Sequence, residues 1–227
     1  LVDVASFLGM DTIPNKREAQ QYVGSFIELT SMHEIVGYST VRGGWNNGDA
    51  YTVYFAMQSD VPFRKVQRGE NYFMNVWFGV SDVNVKVGIS YVSIDQARRN
   101  IVPNNFDAQH LMLKKQWDEM LAHVPYHGTN KEMRMFYTGL YHTLLMPVDK
   151  TNENPKWQGG PYYDDYYALW DTYRTSMPLL MEYYPDRAVA MINSLLAIYQ
   201  QEGYMPDARS GDCNGRTQGG SHGEVVI

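Results

Sequence analysis

Three runs in the first part of the chain alternate with a period of two. Tyr51, Val53 and Phe55 alternate with Thr52, Tyr54 and Ala56; Tyr72, Met74, Val76 and Phe78 with Phe73, Asn75 and Trp77; and Val83, Val85, Val87, Ile89 and Tyr91 with Asn84, Lys86, Gly88 and Ser90. Alternation repeated over short segments demands antiparallel sheet with one face on a core. Turn formers separate the runs at Gly43-Gly44, Asn46-Asn47-Gly48 and Gly69. The pattern predicts a β-sandwich over residues 1–94, with the residues up to Tyr22 the least clearly patterned.

At Ser93 the period changes. Ser93 and Gln96 have the spacing of a capping box for a short helix to Asn100, and Asp107 can cap a longer one carrying Leu111, Trp117, Met120 and Leu121. Pro125 and Gly128 close this stretch, so residues 95–128 read as a helical linker. Thr129 and Glu132 form a second capping box, followed by Met133, Phe136, Tyr137, Leu140, Tyr141 and Leu144 at helical spacing until Pro147. Asp186 opens another helix, with Val189, Ile192, Leu195, Leu196 and Tyr199 on one face and Gly203 at its end. Residues 129–227 thus form a helical second domain, and the fold class is α+β, multidomain.

Composition excludes several partners. A net charge of -6 argues against a nucleic-acid backbone or an anionic membrane surface. No apolar run approaches the roughly 20 residues of a membrane span. Cys213 is the only cysteine, which rules out an internal disulfide. The opening residues 1–9 lack the basic region of a signal peptide, and Gly223 to Ile227 reads as the start of an apolar helix; a piece of a longer chain is expected.

The stretch from Trp157 to Pro178 concentrates function-bearing side chains. A helix from Tyr163 to Thr175 would place Tyr163, Tyr166, Tyr167 and Trp170 on one stripe, with Asp171 and Arg174 as neighbours three apart. Wide aromatic faces beside carboxylate and guanidinium groups suit a sugar, with its apolar C–H faces and rim of hydroxyls. The alternative is that the tyrosines pack helices together and Asp171–Arg174 is an ordinary ion pair.

Phe136-Tyr-Thr-Gly-Leu-Tyr-His-Thr-Leu-Leu-Met-Pro147, Trp170-Asp-Thr-Tyr-Arg-Thr175 and Pro178-Leu179 resemble family 92 glycoside hydrolases. So do Gly37-Tyr-Ser-Thr-Val-Arg-Gly-Gly-Trp-Asn46, Gly88-Ile-Ser-Tyr-Val-Ser93 and Thr217-Gln-Gly-Gly-Ser221, in the expected order. The resemblance implies a calcium-dependent, inverting exo-α-mannosidase acting on α-mannoside glycans. It also implies a β-sandwich joined by a helical linker to an (α/α)6 toroid, here truncated. By resemblance Trp170 and Asp171 belong to the −1 subsite, Arg216 is a further sugar contact, and Arg174 steadies the helix end. A glycan-degrading role implies export, to the periplasm or the exterior.

Inverting hydrolysis needs a general acid and a general base about 6.5–9.5 Å apart. By resemblance both, and the calcium ligands, lie C-terminal to this chain, so no catalytic or metal residue is assigned and the piece alone is expected to be inactive. Asp164, Asp165, Asp207, Asp212 and Glu224 read as solvated surface, and Asp212 with Asn214 gives only half a calcium loop. His142 reads as a hydrogen-bonded packing residue. Ser221-His-Gly-Glu224 departs from the family pattern, and no triad spacing marks Ser221 as a nucleophile. Arg42-Gly-Gly-Trp45 can be a loop reaching toward the site or a plain hairpin turn. Two other functions fit the same residues: a mannoside-binding module without catalysis, and a helical-toroid enzyme with different anomeric chemistry.

Overall fold

The computed structural model describes residues 1–9, 19–44, 48–69, 72–166, 168–214 and 222–227, arranged as two compact units, Leu1–Phe106 and Asp107–Ile227. Trp45, Tyr167, Arg216 and the loop 217–221 lie outside the described residues.

In the first unit, β1 (Val2–Asp3), β2 (Gln20–Ser31), β3 (Glu34–Gly43), β4 (Gly48–Ser59), β5 (Phe63–Arg68), β6 (Phe73–Phe78) and β7 (Val85–Ser90) form two antiparallel sheets. Their orders are β2-β3-β4-β7 and β1-β6-β5. All three alternating runs fall on strands. On β4 and β6 one side of the alternation enters the space between the sheets, where Ile27, Ile35, Phe63 and Met74 are at most 2 % exposed. On β7 the apolar set expected on the core, Val85, Val87 and Ile89, is instead exposed, and the buried side is that of Gly88 and Ser90, where Gly88 lies against Ala97 of the following helix. The opposite face of the larger sheet is covered in part by α1 (Ile94–Arg99), whose Ala97 packs on Val36 and Ala56. Ser93 Oγ accepts the Gln96 N–H and caps α1, but the Gln96 side chain turns to Asn100 and Arg99, so half of the expected box forms.

The second unit opens with α2 (Phe106–Leu121), α3 (Asn130–Leu144), β8 (Val148–Asp149) and β9 (Tyr163–Asp164). It continues with α4 (Leu169–Thr172), α5 (Ser176–Tyr183), α6 (Pro185–Glu202), β10 (Arg209–Ser210), β11 (Cys213–Asn214) and α7 (His222–Val226). α2 already includes Phe106, so Asp107 sits in its first turn, favourable to the helix dipole, and is not the cap. Thr129 and Glu132 form the complete capping box of α3. Pro185 occupies the first position of α6, and Gly203 ends it in the left-handed conformation.

The buried face of α6 differs from the expected one. Ala188, Met191, Leu195 and Ile198 enter the core, while Val189, Leu196 and Tyr199 are exposed. Apolar residues cover more than one face of this helix. The core, built with Leu140, Leu144, Leu169 and Leu180, takes the stripe one residue away.

Candidate functional site

The single helix expected over residues 163–175 does not form. Tyr163–Asp164 is a short strand paired with Val148–Asp149, and only Leu169–Thr172 is helical before α5. Tertiary hydrogen bonds override the helical pattern here: Tyr163 N donates to Ser194 Oγ at 2.8 Å, and the Tyr166 hydroxyl donates to the Met191 carbonyl at 2.8 Å. Tyr163 and Tyr166 are buried, while Trp170 is 43 % exposed, so the aromatic residues do not share one face.

Three of the acids expected on the surface are buried. Asp164, Asp207 and Asp212 are 0 %, 4 % and 3 % exposed; only Glu224 is fully at the surface, with Asp165 half-buried. The cause is the β10–β11 hairpin, whose two-residue Gly211-Asp212 turn has both residues at positive φ. The turn sends Asp212 back into the unit, where its carboxylate accepts the Tyr162 hydroxyl at 2.6 Å. Asp212 N donates to Asp164 Oδ2 at 3.1 Å, and Lys150 Nζ donates to the same oxygen at 2.7 Å. Arg209, fully buried, donates to Tyr162 at 2.9 Å, to both oxygens of Glu202 at 3.0 Å and to Asn214 Oδ1 at 2.6 Å. Its Nε stands 3.5 Å from Asp164 Oδ1, an ion pair too long to be a good hydrogen bond. Burial pushes the Asp212 carboxyl up, and the Asp164 charge adds to that, against Lys150 and Arg209. Burial likewise raises the Tyr162 hydroxyl, which stays protonated and donating. A Gly-Asp pair between short flanks is a hairpin signal that could have marked this turn from sequence.

On this platform stands α4. Leu169 N donates to the Asp207 carbonyl at 3.0 Å, two residues before Arg209. Beyond it, Trp170 and Asp171 are exposed, and among the described residues neither side chain has a hydrogen-bond or ion-pair partner. Asp171 and Arg174 do not pair. Arg174 lies over the Tyr173 ring at 5.4 Å, and the His222 ring stands 4.5 Å from the same ring. Tyr173, next to α4, thus meets His222 of α7. The helical pattern gave no sign of this contact, because α7 is distant in sequence. His142, expected to be packed, is exposed, with its ring 5.6 Å from that of the neighbouring Tyr141.

The implied calcium does not fit these residues. Among the described residues no group of three or more His, Cys, Asp or Glu could hold a metal ion. The Asp164–Asp212 pair is already offset by Lys150 and Arg209, and Asn214 is committed to Arg209. In the sheet unit, a separate groove of about 600 Å³ is lined by Phe26, Tyr38 and Tyr54, with Glu28, Asp95 and Arg98. No described helix is long and apolar enough to cross a membrane.

The profile of the glycosyl hydrolase family 92 catalytic domain matches residues 95–227. A protein of Arthroderma benhamiae named as an uncharacterized secreted glycosidase is 29% identical over 159 residues, covering 66% of this chain and 17% of that protein. A family GH92 α-mannosidase structure from Bacteroides thetaiotaomicron superposes with a TM-score of 0.78 at 23% identity, over 91% of this chain and 33% of that one. A GH92 inverting mannosidase of the same organism gives 0.73 at 21%, over 89% and 32%. These likenesses show the fold: antiparallel sheets followed by helices. The chain spans about a third of the solved structures and 17% of the curated relative.

Proposed function

Because the chain belongs to glycosyl hydrolase family 92, we propose that it is part of a glycosidase that releases terminal α-linked mannose from glycans. Trp170 and Asp171 form the substrate subsite, Trp170 offering its indole face to the sugar ring and Asp171 accepting hydroxyl hydrogen bonds. Arg216, outside the described residues, is a third contact. The observation that carries the reading is that Trp170 and Asp171 are exposed and unpartnered among the described residues, while the acids beneath them are buried and paired.

The mechanism is inverting, with the general acid and base supplied outside this chain. Calcium dependence belongs to the same proposal, and no ligand for it is assigned here. In the parent protein the three parts are a sandwich (1–94), a linker (95–128) and the start of an (α/α)6 toroid (129–227). Degradation of external glycans places the parent in the periplasm or outside the cell; the relative named as secreted supports this.

Asp171→Ala in the full-length parent is the test. α-Mannoside turnover is expected to fall by about 100-fold or more, with the thermal midpoint nearly unchanged and turnover of the parent sensitive to a chelator. Turnover that survives the substitution means that Asp171 is structural and the subsite lies elsewhere.

A further inference from the structure

Helix α4 does not account for its own position. It has four residues and no side-chain cap, and a helix so short is unstable by itself. The direction in which Trp170 and Asp171 point must come from tertiary anchors. Upstream, Tyr163 and Tyr166 are tied to α6. At its start, the Leu169 N–H is held by the Asp207 carbonyl, at the foot of the β10–β11 hairpin. The buried network joins these two anchors. Tyr162 and Asp164 belong to the segment leading into α4, and Arg209 and Asp212 to the hairpin. A further bond, from Ser210 Oγ to Asp165 Oδ1 at 2.6 Å, crosses the same seam.

We infer that Lys150, Tyr162, Asp164, Arg209 and Asp212 are positioning residues that fix the register of segment 162–166 against the hairpin, and thereby aim Trp170 and Asp171. The inference rests on the reading of those two side chains as the sugar subsite. Stability alone is a poor explanation of the network. Burying ions costs more than their attraction returns unless the geometry is good, and apolar side chains of similar volume often serve stability equally well. The geometry here is incomplete: Asp164 Oδ1 and Asp212 Oδ2 have no hydrogen-bond partner among the described residues. What directional bonds supply, and apolar contacts do not, is a single register. The Tyr162 hydroxyl can donate to Asp212 and accept from Arg209 only when segment and hairpin stand in one alignment.

The experiment is 19F NMR of the chain labelled with 5-fluorotryptophan, each of the five tryptophan lines assigned by a Trp→Phe substitution. Two variants are compared: Tyr162→Phe, which removes the bridging hydroxyl and keeps the ring, and Lys150→Met with Asp164→Leu, which replaces the ion pair by apolar volume. Trp157 packs edge-on against Tyr162 at 5.4 Å, so its line moves in Tyr162→Phe on local grounds alone. The positioning role predicts that the Trp170 line also shifts or splits, while that of Trp77 on β6 stays put. In the parent enzyme the same variants should raise KM for an α-mannoside roughly tenfold while leaving kcat less affected. A Trp170 line unmoved in the folded variants overturns the inference. So does loss of the helical signal in Tyr162→Phe, which would make the network a folding requirement. If the double variant alone fails to fold, Tyr162→Phe decides. If the Trp170 line moves but Asp171→Ala leaves turnover intact, the subsite reading fails and the control of α4 by the network stands.

Discussion

One carboxylate, Glu34, ties three strands to a helix. On β3, it accepts from Thr30 of β2 at 2.5 Å, from Gln58 of β4 at 3.0 Å and from Arg98 of α1 at 3.0–3.3 Å. The Arg98 hydrogen bonds are the main cause that holds its carboxyl at about 2, below the usual 4.5, with Thr30 and Gln58 adding to them against burial. A lowered folded value means that the contribution to stability is present above pH 4.5 and is lost as the pH falls toward 2. The pH dependence that Glu34 gives the urea midpoint of the sheet unit should therefore be flat above pH 4.5, with the midpoint dropping below it. Glu34→Gln should lower the midpoint at neutral pH and remove that part of the acid slope. An unchanged slope in the variant would assign the acid sensitivity to other carboxylates. Asp212 works in the opposite sense: its raised folded value contributes stability at acid pH that is lost as the pH rises through that value. Neither shift is visible in a run of letters. Glu34 and Arg98 are far apart in sequence, and Asp212 looks like any loop acid until the hairpin turns it inward.

At the scale of elements, the contact of β7 with α1 depends on the absence of a side chain at Gly88, where a Cβ would run into the Ala97 carbonyl oxygen. Backbone cannot give way as a flexible side chain can. Gly88→Ala is expected to cost about 1–3 kcal/mol in urea denaturation, by forcing α1 off the sheet. Gly24→Ala on β2 is the control, since a Cβ there meets nothing within 4 Å. That change should be neutral or stabilising by at most about 1 kcal/mol. Equal effects at the two positions would refute the close-approach account. Elements whose ends are set by local chemistry were legible: the Ser93 cap, the Thr129–Glu132 box and Gly203 all stand where the spacing puts them. The stretch 163–175 was not, because the Tyr163 N–H and the Tyr166 hydroxyl bond to α6 and the Leu169 N–H bonds to the Asp207 carbonyl, which leaves only the short α4 of the expected helix.

At the scale of the whole molecule, the proposed function leads us to expect that the chain alone releases no mannose from an α-mannoside and that a longer protein containing it does. Asp164, Asp207 and Asp212 are buried, and Asp164 and Asp212 are bonded to internal partners, so none of the three can act as acid or base on a sugar. Hydrolysis by a chain of 26.1 kDa, checked by intact mass, would contradict this directly.

The sequence by itself determined the sandwich, the change to helices at Ser93 and the kinship carried by Trp170-Asp-Thr-Tyr-Arg-Thr175. Periodicity, caps and short motifs are local and survive in one dimension. It also singled out Trp170 and Asp171, both of which the structure leaves exposed. Only the tertiary structure decided which acids are surface and which are core, which stripe of α6 is buried, and that Tyr173 and His222 meet. Those outcomes depend on partners dozens of residues away, and burial is a property of the assembled unit rather than of any segment within it.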